Sequence, residues 1–381
     1  QAVFATKRPL TTIQDTWLKL DLKDHNFQQT DQNYPRPNFK VNNNYPQVKI
    51  KWEFQDSSDI GVGIAVFKHL LITANTKGEI FALNKNSGAK QWSFPTKGKI
   101  YSTPFYYKKH VVVGSSDGNI YCLNARNGKL KWKYKTPKAI LGSPFVADGK
   151  VYFGGSDGHF RALFFDDGTL VWDYPNVEGF VVTSPLAYQG KIYFGSWGNY
   201  FYALDALTGK EVWKWTNGST NRMYSPAACK PVATNGKVFI VAPDRYMTAF
   251  DAENGKVIWR ETLQNNRVRE SMGLSEDEKL VYAKTMDGKV FGASTQTNDF
   301  NINWRSSLQL PYELNPAAIT TYNNKIFVPT HSGLAVALHQ RDGSVLWKYK
   351  VSNCLINTIK PISKDQVVVS TMDGKLTCLV F

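Results

Sequence analysis

Cysteines and long apolar stretches are both scarce in this sequence of 381 residues. It has four cysteines, no two of them closer than 24 positions, which excludes a zinc knuckle and a disulfide-stapled small domain. No stretch approaches 18 consecutive apolar residues, so a membrane-spanning helix is excluded. Helical periodicity is missing at useful length as well, which leaves an all-β chain as the favoured class.

Local catalytic motifs are also missing. The six histidines form no H-x-H or H-E-x-x-H pattern, and there is no P-loop or dinucleotide-binding fingerprint. G-x-S-x-G occurs at 114–118 and 154–158, but a nucleophile elbow needs a helix after the motif, and here another strand follows. We therefore predict that the chain is not an enzyme, although a site assembled from distant segments would leave no such motif.

Aromatic residues, in contrast, are abundant, at 14% of the chain. Eight of the eleven tryptophans form a ladder with successive gaps of 40, 40, 40, 41, 46, 45 and 43 residues. A repeat of this period indicates an array of similar structural units. The ladder consists of Trp52, Trp92, Trp132, Trp172, Trp213, Trp259, Trp304 and Trp347.

Most ladder tryptophans end a repeated motif, of which the clearest copy is Ala-Leu-Asp-Ala-Leu-Thr-Gly-Lys-Glu-Val-Trp at 203–213. The copy that ends at Trp304 is one residue longer and lacks the turn glycine. We predict that each indole is structural and docks where the small residue ten positions earlier leaves room. Cys122 and Cys378 stand at that small position and are predicted core residues, whereas a bridge between Cys229 and Cys354 stays open.

Each repeat also contains short runs of β-branched and aromatic residues, such as 111–113 and 192–194. Asp-Gly pairs follow these runs, and they indicate hairpin turns because glycine accepts a positive φ without steric cost. One more strand is predicted before each run, so a repeat consists of four short antiparallel strands. This strand is predicted to open at Ser102-Thr103-Pro104, Ser143-Pro144, Ser184-Pro185 or Ser225-Pro226.

Four-stranded units of 40–46 residues predict the blades of a β-propeller. Seven complete units end at Trp347, and a further set of three strands ends at Phe381 without an outer strand. Residues 47–54 carry Trp52 but have no strands before them, so we predict that they complete the last blade. The expected fold is an eight-bladed propeller over 47–381, closed by its N-terminal outer strand, with residues 1–46 as a polar arm or linker.

The motif at 203–213 resembles the PQQ-like β-propeller repeat family, named for pyrroloquinoline quinone, as do the segments 191–195 and Ser184-Pro185. The resemblance covers residues 47–381. One branch of that family comprises quinoprotein dehydrogenases, which hold the quinone and a calcium ion over the channel. Another branch is non-enzymatic and includes a lipoprotein of the bacterial outer-membrane protein assembly machine. Blade number and chain length look more like the second branch.

The resemblance implies no cofactor for this chain. Family dehydrogenases typically carry a disulfide between adjacent cysteines, and this sequence has no Cys-Cys pair. No insertion is long enough for a lid, and no acidic cluster that could bind calcium lies near the expected channel mouth. PQQ and calcium are therefore disfavoured. The alternative functions are a PQQ-dependent dehydrogenase and the C-terminal propeller module of a larger enzyme, such as a metallophosphoesterase.

We therefore predict a non-catalytic interaction scaffold with a protein partner, exported to the periplasm or cell envelope of a bacterium. The localisation follows from the resemblance alone, and no lipidation Cys is visible because the first cysteine is Cys122. The net charge is +15, but many lysines alternate with apolar residues on predicted outer strands, as Lys129, Lys131, Lys133 and Lys135 do. Lysines there block edge-to-edge pairing, and nucleic-acid binding is not expected.

Candidate binding residues are those that break the repeat in the loops around the channel mouth. An arginine and aromatic rim of this kind suits a carboxylate, a glycan or a peptide. The alternative is that these residues are solvated loop tips. The candidates are Trp197, Arg222, Arg245, Tyr246, Arg267, Arg269 and His331.

Overall fold

The computed structural model describes residues 45–262 and 268–381, and for 268–270 it describes the backbone only. In this part of the chain, 32 strands form eight four-stranded antiparallel sheets, which are the blades of a β-propeller. The predicted fold is confirmed. Two single-turn 3-10 helices, Arg222–Tyr224 and Pro226–Ala228, are the described helical segments. Among the described residues, no helix has the length and apolar character needed to cross a bilayer.

The strands of the first four blades follow one another in the chain, from the innermost to the outermost. Blade one comprises β2 Ala65–Phe67, β3 Leu70–Ala74, β4 Glu79–Asn84 and β5 Lys90–Pro95. Blade two comprises β6 Phe105–Tyr107, β7 His110–Gly114, β8 Asn119–Asn124 and β9 Leu130–Lys135. Blade three comprises β10 Phe145–Ala147, β11 Lys150–Gly154, β12 Phe160–Phe164 and β13 Leu170–Tyr174. Blade four comprises β14 Leu186–Tyr188, β15 Lys191–Gly195, β16 Tyr200–Asp205 and β17 Glu211–Thr216.

The next three blades have the same order, and the eighth combines both ends of the propeller. Blade five comprises β18 Val232–Thr234, β19 Lys237–Val241, β20 Met247–Asp251 and β21 Val257–Glu261. Blade six comprises β22 Val268–Leu274, β23 Leu280–Thr285, β24 Val290–Ser294 and β25 Ile302–Arg305. Blade seven comprises β26 Thr320–Tyr322, β27 Lys325–Val328, β28 Leu334–His339 and β29 Val345–Lys350. Blade eight comprises β30 Ile356–Ser363, β31 Gln366–Thr371, β32 Lys375–Val380 and β1 Lys49–Gln55.

The ring is closed by β1, which pairs antiparallel with β32 as the outer strand of blade eight. The predicted closing segment, residues 47–54, agrees with the observed strand to within a few residues. Closure leaves no seam at which the backbone groups of β32 would lack a partner. The proposed boundary between a linker at 1–46 and the propeller stays a prediction, because residues 1–44 lie outside the described residues.

The ladder tryptophans join neighbouring blades. The ring of Trp52 lies on the turn of blade one, where an added Cβ on Gly88 would come within 2.6 Å of the indole. Gly88 also has a φ of +72°, so both its conformation and its lack of a side chain are required. Five indole N–H groups donate to a backbone carbonyl of the next blade at 2.8–3.2 Å, namely those of Trp52, Trp92, Trp132, Trp172 and Trp213.

Blade six shows what happens where the turn glycine is missing. The ring of Phe300 packs against Trp259, with 4.9 Å between the ring centroids. Phe381 contacts Trp347 in a similar way at 5.0 Å, beside blade eight. Both indole N–H groups are buried without a hydrogen-bond partner among the described residues. At Trp259 and Trp347, a contact with a phenylalanine ring therefore replaces the contact with a turn glycine that the other ladder tryptophans make.

Residues of the second and third strands form the core. Cys122 and Cys378 are completely buried, which confirms that they are small core residues. Burial raises the pKa of the Cys122 thiol to about 12, and the nearby charge of Lys131 lowers it only in part. Both thiols are therefore neutral at physiological pH and have the packing role predicted for them.

One predicted strand start is wrong. Ser225-Pro226 opens a 3-10 turn, and the inner strand of blade five begins later, at Val232. Blade five has a longer entry loop, and Pro231 takes the place that Pro185 has in blade four. Asn221 caps the first 3-10 turn by accepting a hydrogen bond from the Met223 N–H at 3.0 Å. A Ser-Pro pair suits a turn as well as a strand, so the pair alone could not locate the strand.

Candidate functional site

The longest insertion within the repeat, the entry loop of blade five, packs against turns of blades four and five. We name the surface formed by residues 196–199, 217–231 and 242–246 the blade-five rim. On its blade-four side, the Asn199 amide donates to the Ser219 carbonyl at 2.7 Å. The Ser225 hydroxyl donates to the Asn199 side-chain oxygen at 2.6 Å. Asn199 and Ser225 are both buried, so this side of the loop is held in place.

On the blade-five side of the rim, Asp244 is the central group. Its Oδ2 accepts a hydrogen bond from Asn217 at 3.0 Å and one from the Arg260 guanidinium at 2.7 Å. The Arg260 guanidinium also stacks over the Tyr246 ring, 3.7 Å from its centroid. Stacking on an aromatic face and a charged hydrogen bond together fix an arginine well. One face of the Tyr246 ring is therefore covered by Arg260, and the pair packs within the rim.

The outer surface of the rim is basic and apolar. Residues 220–224 are all exposed, and Met223 and Tyr224 expose 51% and 37% of their surface. Arg222 lies beside them, and its carbonyl accepts a hydrogen bond from the Ser225 backbone N–H at 3.1 Å. Arg245 is exposed in the neighbouring turn, where its φ is +77°. A rigid loop that presents Met, Tyr and Arg side chains to solvent has the composition of a protein-binding surface.

Trp197 lies in the blade-four turn of the same rim. Its backbone N–H donates to the Phe180 carbonyl at 3.0 Å, and the two rings are 6.0 Å apart. The side chain is half-buried, so it contributes one face to the surface. The structure thus brings four of the seven predicted residues to one rim: Trp197, Arg222, Arg245 and Tyr246.

His331 lies elsewhere, in a turn of blade seven. Its backbone N–H donates to both carboxylate oxygens of Glu313, at 3.1 and 3.0 Å. Glu313 forms a buried ion pair with Lys284 at 3.0 Å, and Lys284 also donates to the Pro329 carbonyl. Burial lowers the pKa of Lys284, and the Glu313 charge opposes this effect. This network links blades six and seven and does not include the rim.

The two remaining candidates cannot be assigned a contact. Arg267 lies outside the described residues. Arg269 is in the inner strand of blade six, but its side chain is not described. Sequence analysis missed Asp244's partner Arg260 as well as the Lys284–Glu313 pair. Their signal is weak, because the partners are 16 and 29 positions apart in the sequence and meet only through the sheet register.

Metal-ligating side chains and cysteines bear on the predicted absence of calcium and quinone, which stays a prediction. Calcium needs several convergent oxygen ligands. Within 45–262 and 268–381, no three or more His, Cys, Asp or Glu residues converge as a metal site. Cys229 is buried with its sulfur 3.6 Å from that of Met272, and the question of a bridge between Cys229 and Cys354 stays open.

Comparisons with known proteins agree with the architecture. The family model described as "Outer membrane protein assembly factor BamB" matches residues 46–175, 76–228 and 182–300 in overlapping segments, which cover about two thirds of the chain. The chain belongs to this family. The BamB family thus accounts for the repeat, and no curated protein matches the chain in sequence.

Solved structures with the same fold belong to several functional classes. BamB from Moraxella catarrhalis is 19% identical with a TM-score of 0.70, and the match covers 88% of this chain and 98% of that one. A europium-containing methanol dehydrogenase is 13% identical with a TM-score of 0.71, covering 89% and 94%. The computationally designed Ika8 protein is 15% identical with a TM-score of 0.73, covering 86% and 98%. At these identities the likeness concerns the fold, and function has to be argued from the site.

Proposed function

We propose that this protein is a non-catalytic interaction scaffold of the bacterial cell envelope, with a role in outer-membrane protein assembly. The observation that carries this proposal is the blade-five rim. Its exposed Met223 and Tyr224 lie on a loop that is fixed by a buried hydrogen bond on the blade-four side and by a partly buried one on the blade-five side. A rigid loop loses little conformational entropy when a partner binds. Membership of the BamB family supports the cellular setting.

The chemistry of the rim suggests its partner. Arg222 and Arg245 flank the apolar side chains, so the partner would carry an apolar pocket edged by carboxylates. We propose further that no resident cofactor takes part, and that the protein lies in the periplasm or at the envelope. The alternative, a dehydrogenase function, would need several convergent oxygen ligands for calcium, and no group of three or more His, Cys, Asp or Glu residues converges among the described residues.

Site-specific photo-crosslinking in cells tests the proposal. A photoreactive amino acid at Met223 should give an adduct with a component of the outer-membrane assembly machine, identified by mass spectrometry. Leu207 is the matched control, since it is 70% exposed but lies in the turn that follows the third strand of blade four. Equal adducts at both positions, or none at Met223, would argue against the rim. Saturable binding of PQQ with calcium, accompanied by a raised Tm, would contradict the scaffold function itself.

A further inference from the structure

The seam between blades three and four contains a junction of two hydrogen bonds. The Ala206 carbonyl of blade four accepts one from the Trp172 indole N–H and one from the Tyr152 hydroxyl, each at 3.2 Å. The Ala252 carbonyl accepts the equivalent pair at the seam between blades four and five. A complete junction therefore joins two donors of one blade to a single carbonyl of the next blade.

The seam between blades six and seven lacks this junction. Its donors would be Trp304 and Tyr282, whose ring centroids are 5.6 Å apart, and the carbonyl in the equivalent turn position belongs to Gln340. The Trp304 indole N–H is buried without a partner among the described residues, and the Tyr282 hydroxyl makes no hydrogen bond to blade seven. Trp304 is paired with Gly292, where blade four has Ala203. A Cβ on Gly292 would lie 3.0 Å from the indole nitrogen, so the missing side chain leaves the space in which this nitrogen lies against its own blade.

A cavity of about 440 Å³ opens to solvent at the same seam. Its walls are the first turn and the outer strand of blade six together with two turns of blade seven. Because the strands of a blade are antiparallel, these turns lie at the opposite ends of the strands from the turns that form the blade-five rim. The volume is within the range of small-molecule sites. The lining side chains that matter below are Lys279, Asn303, Asn324, Gln340 and Arg341.

Gln340 provides an unused hydrogen-bond acceptor in the wall of this cavity. Its side-chain Oε1 is buried and has no partner in the part of the chain that the structure describes. The repeat does not require a glutamine here, since the equivalent residues of blades two, four and five are Ala125, Ala206 and Ala252. A buried acceptor without a donor is rare in folded proteins, because it loses its hydrogen bonds to water on folding. A hydroxyl group of a ligand would supply the missing donor.

Two cationic side chains give the cavity an excess of positive charge. Arg341 is exposed, and the neighbouring Asp342 carboxylate lies 3.7 Å from His339 Nδ1 instead of pairing with the guanidinium. Lys279 contacts Asp277 at 3.9 Å, but both side chains are more than half exposed, so this ion pair is weak. An arginine binds a carboxylate through two parallel hydrogen bonds. The charges therefore favour a ligand with one carboxylate.

We propose that this cavity binds a small sugar acid, a molecule that combines one carboxylate with several hydroxyl groups. The carboxylate pairs with Arg341 and Lys279, and one hydroxyl donates to Gln340 Oε1. The amides of Asn303 and Asn324 both donate and accept hydrogen bonds, which suits the remaining hydroxyls. The inference concerns a different face of the propeller from the blade-five rim. It goes beyond the scaffold function and does not depend on it.

Isothermal titration calorimetry tests the site, with D-glucuronate, D-glucose and acetate as probes at constant ionic strength. We expect saturable binding of glucuronate with one site per chain. The affinity should be about tenfold or more lower for glucose, which lacks the carboxylate, and for acetate, which lacks the hydroxyls. Arg341→Gln should lower the affinity for glucuronate to the level of glucose. Gln340→Ala should weaken the binding of both sugars, and the fold should tolerate it because three other blades have alanine at this position.

Arg126→Gln is the matched control for the charge. Arg126 has the position of Arg341 in the turn of blade two, where the Trp92 indole donates to the Ala125 carbonyl at 3.2 Å. This variant should leave the affinity for glucuronate unchanged. A loss equal to that in Arg341→Gln would show a general effect of net charge and would overturn the site.

The indole N–H resonance of Trp304 reports where the sugar binds. Assigned by its absence in Trp304→Phe, it should shift when glucuronate is added, because the indole packs against the turn that contains Gln340 and Gly343. A resonance that stays in place while glucuronate binds would contradict the location. The proposal would also be overturned if glucuronate failed to bind at millimolar concentration, or bound no more tightly than glucose or acetate. Unchanged affinity in a double variant with Gln340→Ala and Arg341→Gln would overturn it as well.

Discussion

Trp52 and Cys378 are 326 positions apart in the chain, yet they lie directly opposite each other in the antiparallel pair of β1 and β32. The small thiol leaves room for the indole, whose N–H donates to the Lys85 carbonyl of blade one at 2.9 Å. One residue of the N-terminal strand therefore joins the last blade to the first. Closure of the ring therefore depends on the pairing of β1 with β32.

Deletion of residues 47–54 is expected to destabilise the whole propeller. The deletion exposes the edge of β32 and removes the indole that docks on blade one. We expect a lower Tm and concentration-dependent aggregation, measured by differential scanning calorimetry and light scattering. An unchanged Tm would show that closure by β1 does not stabilise the ring.

Glycine substitutions separate the two requirements at the ladder turns. Gly128 has a φ of +70°, and a Cβ there would lie 2.5 Å from Trp92. Gly149 has the same φ, but a Cβ there would meet nothing within 4 Å. Gly149→Ala should therefore cost about 1 kcal/mol for backbone strain alone, and Gly128→Ala should cost about 1–3 kcal/mol more for the steric clash. Urea unfolding of both variants measures the difference, and equal losses would contradict the docking of the indole on this turn.

The loss of folding stability at acidic pH should depend on the carboxyl group of Asp157. Burial alone would raise the pKa of this carboxyl, but two hydrogen bonds and the charge of Arg161 lower it below its ordinary value of 3.8. A carboxyl with a lowered pKa stabilises the fold above its unfolded-state pKa. That contribution is lost as the pH falls through the lower, folded-state value. Chemical unfolding measured from about pH 5 to about pH 2 tests this. The free energy of unfolding should fall less steeply with decreasing pH in Asp157→Asn than in the wild type.

Asp167→Asn is the control for this pH dependence. Asp167 is exposed, and its partner in hydrogen bonding is the neighbouring Thr169 rather than an arginine. Asp167→Asn should change the pH dependence of the free energy of unfolding much less than Asp157→Asn does. A parallel shift in both variants would mean that Arg161 does not stabilise the ionised carboxylate.

The fold was largely predictable because most blades repeat the same pattern of four short strands with a ladder Trp on the outer strand. The ladder period fixed the number of blades, and the position of Trp52 without preceding strands indicated closure. Cys122 and Cys378 could be placed in the core because they stand where other repeats have Ala. The prediction that the inner strand of blade five opens at Ser225-Pro226 was wrong because this pair opens a 3-10 turn in the longer entry loop.

The candidate site was less predictable because its contacts join different strands. Local irregularity pointed to Arg222 and Arg245, which are exposed in the structure, and their role in binding stays a prediction. It gave no sign that Arg260, on an outer strand with a ladder motif, covers Tyr246.

Substitution of Asp244 connects the structure of the rim with its proposed function. Asp244→Ala leaves Arg260 and Asn217 without their shared acceptor and should lower the free energy of unfolding by about 1–3 kcal/mol. Because Asn217 also donates to the Tyr224 carbonyl, the loop should loosen, and crosslinking from Met223 should fall. Asp287→Ala removes an exposed contact with Lys289 at 3.8 Å and should cost less than about 0.5 kcal/mol with crosslinking unchanged. A destabilised Asp244→Ala variant that still crosslinks from Met223 at the wild-type level would show that the partner does not require the fixed loop, and would contradict the proposed contribution of loop rigidity to binding.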